Sequence, residues 1–213
     1  MKEFYRSNLP HFQQPGQIYF VTWNLKDAIP SKLFTEYSNK SSELKSQIEY
    51  AIKSNASISE LELLKHNYLL NRKNMMDAYE NILHRNENSD IDLSQKEVIK
   101  ILYESACYWN NKKISNIALC IMPNHIHWVF RLMNSEDKEN WLQEILRSVK
   151  TFTARNINLY LGRSGTLWQR ESWDTTIRND KHLFAVIEYV INNPVKAGLV
   201  KDWKEWNGTF IFE

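Results

Sequence analysis

The chain has 213 residues, 43% hydrophobic, 13% aromatic and 24% charged, with a formal net charge of +2. That length carries one domain with a full core, or one domain with a large insertion, and the composition is that of a soluble globular protein. No apolar run approaches the roughly 20 residues a membrane span needs, the first residues lack a signal-peptide core, and Cys107 and Cys120 lack metal-like spacing, so two reduced thiols in the cytoplasm are expected.

Residues 1–16 read as an irregular lead-in that ends at the turn formers Pro15 and Gly16. Gln17 to Leu25 is rich in β-branched and aromatic residues and reads as the first strand. From about Pro30 to Lys113 the pattern is helical. Ile48 and Ile52, then Leu61, Leu64 and Tyr68, then Met75, Tyr79, Ile82 and Leu83 recur three or four residues apart. Ser57 or Ser59 can cap one of these helices, the polar run Asn86 to Asp92 reads as a loop, and Leu93 to Trp109 reads as a further helix. The stretch at about 30–110 is thus expected as a helical insertion. Ten Lys/Arg against twelve Asp/Glu from Ser31 to Asn110 suit a helical hairpin or coiled-coil arm with a structural or dimerising role better than contact with DNA.

Ile114 to Ile121 is an apolar, β-branched strand, Pro123 and Asn124 form turns, and a second strand starts at His125. The two strands are expected at about 114–122 and 125–132. Successive strand residues point to opposite faces, so His125 and His127 share a face while Ile126 points away. Two imidazoles side by side are two legs of a metal site, or two solvated histidines on an edge strand. Ser135 to about Leu161 has Trp141, Ile145, Val149 and Phe152 at helical spacing. Gly162 and Gly165 end it, and Leu167 to Arg170 with Asp174 to Arg178 read as a loop and a short strand.

Asn179 or Asp180 can cap a last main helix running to about Asn193, where Pro194 stops it. Leu183, Ile187 and Ile191 make its apolar stripe. Tyr189 lies about 200° around the helix from Ile187, and Asn193, four residues on, shares its face. Both are therefore expected away from the stripe, as surface residues or as a nucleophile and a ligand. The order of elements is βαββαβ plus a helix. It describes one α+β domain over residues 1–213, ferredoxin-like or RRM-like, with an antiparallel sheet and helices on one face. From Arg147 to Lys201 nine Lys/Arg stand against four Asp/Glu, which suits a polyanionic partner or equally a solvated basic face.

On these residues the chain resembles the REP-associated tyrosine transposases, single-tyrosine members of the HUH (His-hydrophobe-His) group. Leu9-Pro-His-Phe-Gln and Ile18-Tyr-Phe-Val-Thr look like that family's opening strand, and Met122-Pro-Asn-His-Ile-His like its HUH strand. Leu167-Trp-Gln-Arg, Asp174, Ile177-Arg178 and the run from Glu188 to Val200, with Trp203 and Trp206, look like its C-terminal signature. The resemblance skips the helical stretch, which is much longer than usual. Ser172 and Thr175 also depart from it, standing where members often carry an aromatic and a His.

The resemblance implies His125 and His127 as metal ligands, Asn193 as the third ligand, Mg²⁺ or Mn²⁺ as cofactor, and Tyr189 as nucleophile. The implied activity is cleavage and strand transfer of single-stranded DNA beside palindromic hairpins through a 5′-phosphotyrosine link. Arg147, Lys150, Arg155, Arg163, Arg170 and Arg178 are candidate phosphate contacts or solvated surface residues, and Trp168 is a candidate stacking platform or a core residue. The expected partners are a single-stranded DNA hairpin and a second copy of the chain, with no membrane, at the nucleoid. The alternative is a hairpin-specific DNA-binding protein or regulator without catalysis. A replication initiator or relaxase fits less well, since no second Tyr sits at helical spacing beside Tyr189. A structural zinc protein fits least, since His11, His66, His84 and His182 are scattered.

Overall fold

The computed structural model describes residues 4–6, 10–12, 16–133 and 141–212, with side chains from residue 16 on except those of 31–34 and 38. The start of the helix expected from Ser135 and the side chain of His11 lie outside the described residues. The chain forms two compact units, residues 27–88 and the remainder.

The smaller unit is a helical hairpin of α1 (Ser31–Lys53) and α2 (Ile58–Arg85), packed against one another. The Ser57 hydroxyl accepts from the Glu60 N–H at 3.2 Å and satisfies one of the open donors at the start of α2. Asn86, with φ of 52°, ends α2 in the left-handed conformation that Asn tolerates. Asn71 Nδ2 donates to Ser41 Oγ at 2.9 Å across the pair. The hairpin expected from the periodicity is present, but its unit ends at Asn88 rather than near 110. The third helix, α3 (Lys96–Trp109), buries Val98, Ile99, Leu102 and Ala106 and packs on the sheet of the larger unit.

In the larger unit, β1 (Phe4–Arg6) and β2 (Pro10–Phe12) pair as a small antiparallel sheet within the segment expected to be irregular. The main sheet contains β3 (Ile18–Asn24), β4 (Ile114–Ile121), β5 (His125–Leu132), β6 (Trp173–Thr176) and β7 (Thr209–Ile211). It is open and antiparallel throughout, in the order β6-β3-β5-β4-β7. Its helices are α3, α4 (Leu142–Tyr160), α5 (Asp180–Ile191) and the short α6 (Asn193–Lys196). The first four main strands in chain order lie 4-1-3-2 in space, so the α+β, ferredoxin-like fold expected from the pattern is the fold observed.

One face of the sheet carries Tyr19, Val21, Trp23, Ile126, Trp128 and Phe130, all but inaccessible to solvent. On this side Trp168 Nε1 donates to Thr153 Oγ1 of α4 at 3.0 Å, and the Trp168 ring meets Trp23 edge-on at 6.2 Å. Asn116 Nδ2 donates to the Ala106 carbonyl of α3 at 3.1 Å, and Asn116 Oδ1 accepts from Trp128 Nε1 at 2.9 Å. A bulge between Asn116 and Ala118 turns Asn116 towards this face. The opposite face carries Ile18, Phe20, Ala118, Cys120 and Val129, and α5 covers it with Val186 and Val190. Helices thus flank both faces rather than the one face expected, because the alternate residues of the same strands are also apolar and need cover. Among the described residues no helix is long and apolar enough to cross a membrane.

Candidate active site

The turn at Pro123 and Asn124 links β4 to β5, with the Met122 N–H bonded to the His125 carbonyl at 2.8 Å. The register then places Asn24 opposite His125, and Thr22 and Cys120 on either side of His127. His125 and His127 share a face as alternation requires, but they are 1% and 2% exposed, so this is a central strand rather than a solvated edge. His125 Nδ1 donates to Asn124 Oδ1 at 2.6 Å, an amide oxygen that can only accept. His127 Nδ1 bonds to Thr22 Oγ1 at 2.8 Å. The two Nε2 atoms stand 3.1 Å apart.

These contacts fix the tautomer of His125 and aim the lone pair of its Nε2 at His127. Between neutral rings the 3.1 Å contact is an N–H···N bond donated by His127 Nε2, with Thr22 donating to His127 Nδ1. With a cation in place of that proton, His127 carries its hydrogen on Nδ1 and the same Thr22 hydroxyl accepts it. Donors on neighbouring corners of a coordination shell about 2.1 Å from the ion stand roughly 3.0–3.4 Å apart. The pair therefore fits a divalent ion, with the outer hydrogen bonds that usually orient metal-binding histidines. Among the described residues no group of three His, Cys, Asp or Glu side chains converges for a metal, so a third donor drawn from these residues would be an amide or hydroxyl. Burial pushes the Cys120 thiol up to about 12, against a smaller opposing effect of its Thr209 contact, so Cys120 offers no thiolate at neutral pH.

Tyr189 reaches this place from α5. Its ring centroid is 5.3 Å from His127 and 5.8 Å from Phe20, edge-on to both. The Lys196 ammonium lies 4.4 Å from the centre of the same ring. Tyr189 also packs against the apolar cluster of Ile18, Cys120, Val129, Val186 and Val190. The expectation that Tyr189 and Asn193 face away from the core is therefore wrong. Leu183, Val186, Tyr189, Val190 and Asn193 form the inward face, within about 120° of one another, and Asn193 is fully buried. Ile187 and Ile191 flank that face, and their hydrophobicity masked it. Nor does Pro194 end the helical path. Asn192 interrupts it, and Pro194 lies in the first turn of α6, where its missing N–H is not needed.

The expected nucleic-acid contacts divide. Arg147, Arg155, Arg170 and Arg178 are exposed. Arg147 and Arg170 border a groove of about 650 Å³ between α4 and the loop that follows it. Arg147 and Arg155 border another of about 510 Å³. Arg163 is partly buried, and its Nη1 has no acceptor among the described residues. Trp168 is not a stacking platform: it is 5% exposed and its indole N–H is engaged by Thr153. Lys150 is not a free phosphate contact either. Its ammonium donates to the carbonyls of Gln169 at 2.6 Å and Arg170 at 3.0 Å and to Ser172 Oγ at 3.2 Å. Burial pulls it down to about 8, opposed by Glu171, so it remains largely charged at neutral pH and pins the loop. That loop joins the histidine end of the sheet through the bond from the Gln169 N–H to the Asn24 carbonyl at 2.9 Å. Trp206 Nε1 likewise donates to the Ile121 carbonyl at 2.8 Å, beside Gly208, where a Cβ would collide with that same oxygen.

Sequence reasoning missed Thr22, Asn124 and Lys196. The sequence marks Asn124 only as a turn former, and Thr22 lies 105 positions from the ring it holds.

A protein of Haemophilus influenzae named as a REP-associated tyrosine transposase is 30% identical over 113 residues, which span 49% of this chain and 61% of that relative. The REP-associated tyrosine transposase of Escherichia coli K12 is 28% identical over 91 residues, 42% of this chain and 49% of the relative. The matched stretches thus span only about half to three-fifths of these relatives. A solved structure of a REP-associated tyrosine transposase bound to a REP hairpin shares the fold with a TM-score of 0.57 and 16% identity, over 96% of this chain and 82% of that one. No protein-family model matches the chain. The resemblance carried by the motifs is thus found again in two homologous sequences and in one shared fold.

Proposed function

For a chain related to the REP-associated tyrosine transposases and carrying this site, we propose metal-dependent cleavage and strand transfer of single-stranded DNA beside palindromic hairpins, through a 5′-phosphotyrosine intermediate. The observation that carries the reading is the convergence of Tyr189 on His127, whose Nε2 stands 3.1 Å from that of His125. His125, His127 and Asn193 would hold Mg²⁺ or Mn²⁺, which supplies charge neutralisation and polarisation at the scissile phosphate.

The roles of the chain's own groups follow from their chemistry. The Tyr189 phenol attacks phosphorus, the P–O3′ bond breaks, and overall one proton passes from the phenol to the departing 3′-oxygen. A phenol is a better leaving group than an aliphatic alcohol, so the same link can be reopened by a 3′-hydroxyl and the strand transferred. Burial of His125, His127 and Asn193 keeps the site poor in water, which favours transfer over hydrolysis. The exposed Arg147, Arg155, Arg170 and Arg178 are suited to the phosphates of the bound hairpin.

The test mixes the protein with single-stranded hairpin oligonucleotides from the flanks of its own gene, with Mn²⁺ or Mg²⁺, on denaturing gels. Wild type should give a metal-dependent protein–DNA adduct that Tyr189→Phe and His125→Ala/His127→Ala do not. Equal hairpin binding by all three, with no adduct and no cut strand, would replace this reading with a binding protein or regulator.

A further inference from the structure

Lys196 is an exposed residue at the end of α6, seven positions after Tyr189. In an uninterrupted helix, residues seven apart are about 10.5 Å apart along the axis. Here the interruption at Asn192 and the new turn at Asn193 intervene, and the Lys196 side chain leans back along the chain, as helical side chains do. Its ammonium comes to 4.4 Å from the centre of the Tyr189 ring. His127 and Phe20 meet that ring edge-on, so three neighbouring side chains bear on its position. A cation on the ring face is attracted by its negative quadrupole, and the attraction grows when bound DNA displaces water from the site.

We propose that Lys196 is a positioning residue for the strand-transfer chemistry: it holds the Tyr189 ring and places a fixed positive charge beside the phenol–phosphate bond as that bond forms and breaks. The inference rests on Tyr189 being the nucleophile. No proton transfer by Lys196 is involved. The bond formed is Tyr189 Oη to phosphorus, the bond broken is P–O3′, and the phenol proton ends on the departing 3′-oxygen. Because one bond is made in cleavage and broken in rejoining, both directions depend on Lys196.

The experiment measures single-turnover adduct formation at saturating hairpin oligonucleotide with Mn²⁺ for wild type, Lys196→Met and Lys196→Arg, with hairpin Kd and thermal melting read in parallel. Lys196→Met should slow adduct formation by about 10- to 30-fold while hairpin Kd and melting stay near wild type, and Lys196→Arg should recover most of the rate. Rejoining of a purified adduct with a 3′-hydroxyl strand should slow in step. Wild-type rates for Lys196→Met would overturn the inference and leave the tyrosine reading standing. Equal slowing by Met and Arg would also overturn it, since shape rather than charge would then be what matters. No adduct from wild type would remove the tyrosine reading itself, and this inference with it.

Discussion

The two faces of the central sheet are built from alternate residues of the same strands, and they are used differently. On β5, Ile126, Trp128, Phe130 and Leu132 point to a face closed by α3 and α4, while His125, His127 and Val129 point to the face under α5. The first face is dry, with Asn116 Oδ1 and Thr153 Oγ1 matched to the N–H donors of Trp128 and Trp168, while the buried Trp23 Nε1 has no acceptor among the described residues. The second is apolar at one end, with Ile18, Ala118 and Val129, and polar at the other, where Thr22, Asn24, His125 and His127 are all buried. Burying four polar side chains together is unfavourable unless each is bonded, and an apolar set would pack with less constraint. Each of the four is hydrogen-bonded, so a buried polar network occupies one end of one face where apolar packing would otherwise serve, which is where function is expected to lie.

Substitutions can break this contrast from either side. The largest effect belongs to the dry face. Trp128→Ala should destabilise the protein by about 3–5 kcal/mol, measured by urea unfolding, with adduct yield per folded molecule unchanged. Lys150→Met comes next, at about 1.5–3 kcal/mol, because the carbonyls of the loop it pins lose a charged donor. Its effect should appear in stability and not in hairpin affinity. The folded-state pKa of Lys150 is lowered to about 8 from 10.5, so between those values the unfolded chain binds more protons and stability rises with pH. The gap in stability between wild type and Lys150→Met should therefore be constant below about pH 8 and widen above it.

On the polar face, Thr22→Val removes the hydroxyl that holds His127 and should weaken Mn²⁺ binding by about 10- to 100-fold, read by calorimetric titration. The smallest change is Arg147→Ala, an exposed groove residue. It should lower hairpin affinity slightly and reduce the slope of log K against log salt by about one.

How far the sequence could be read follows the same division. Period-two alternation was enough to put His125 and His127 on one face, and the turn formers before them marked the strand start. The i, i+4 relation of Tyr189 and Asn193 was equally legible, but its direction was not. Hydrophobicity alone favours Leu183, Ile187 and Ile191 as the inner stripe, whereas the inner face includes a Tyr and an Asn because it meets a polar site. Trp168 and Lys150 are hard to place from sequence for a related reason. A ring or a cation in a basic segment looks available until its partner is known, and Thr153 and the Gln169 and Arg170 carbonyls are 15 to 20 positions away. The three-residue strands β1, β2 and β7 are too short to show any period. The helical hairpin was visible because a two-helix unit depends on repeated apolar spacing, although α3, with the same spacing, belongs to the sheet.

The central claim is that the polar end of the α5-covered face performs a tyrosine transesterification. Its most direct test is peptide mass spectrometry of the covalent product formed with a hairpin oligonucleotide and Mn²⁺. The account predicts a nucleotide mass on the peptide containing Tyr189, linked through a 5′-phosphate. A modification on any other of the 10 tyrosines, or cleaved DNA with no modified peptide, would contradict it.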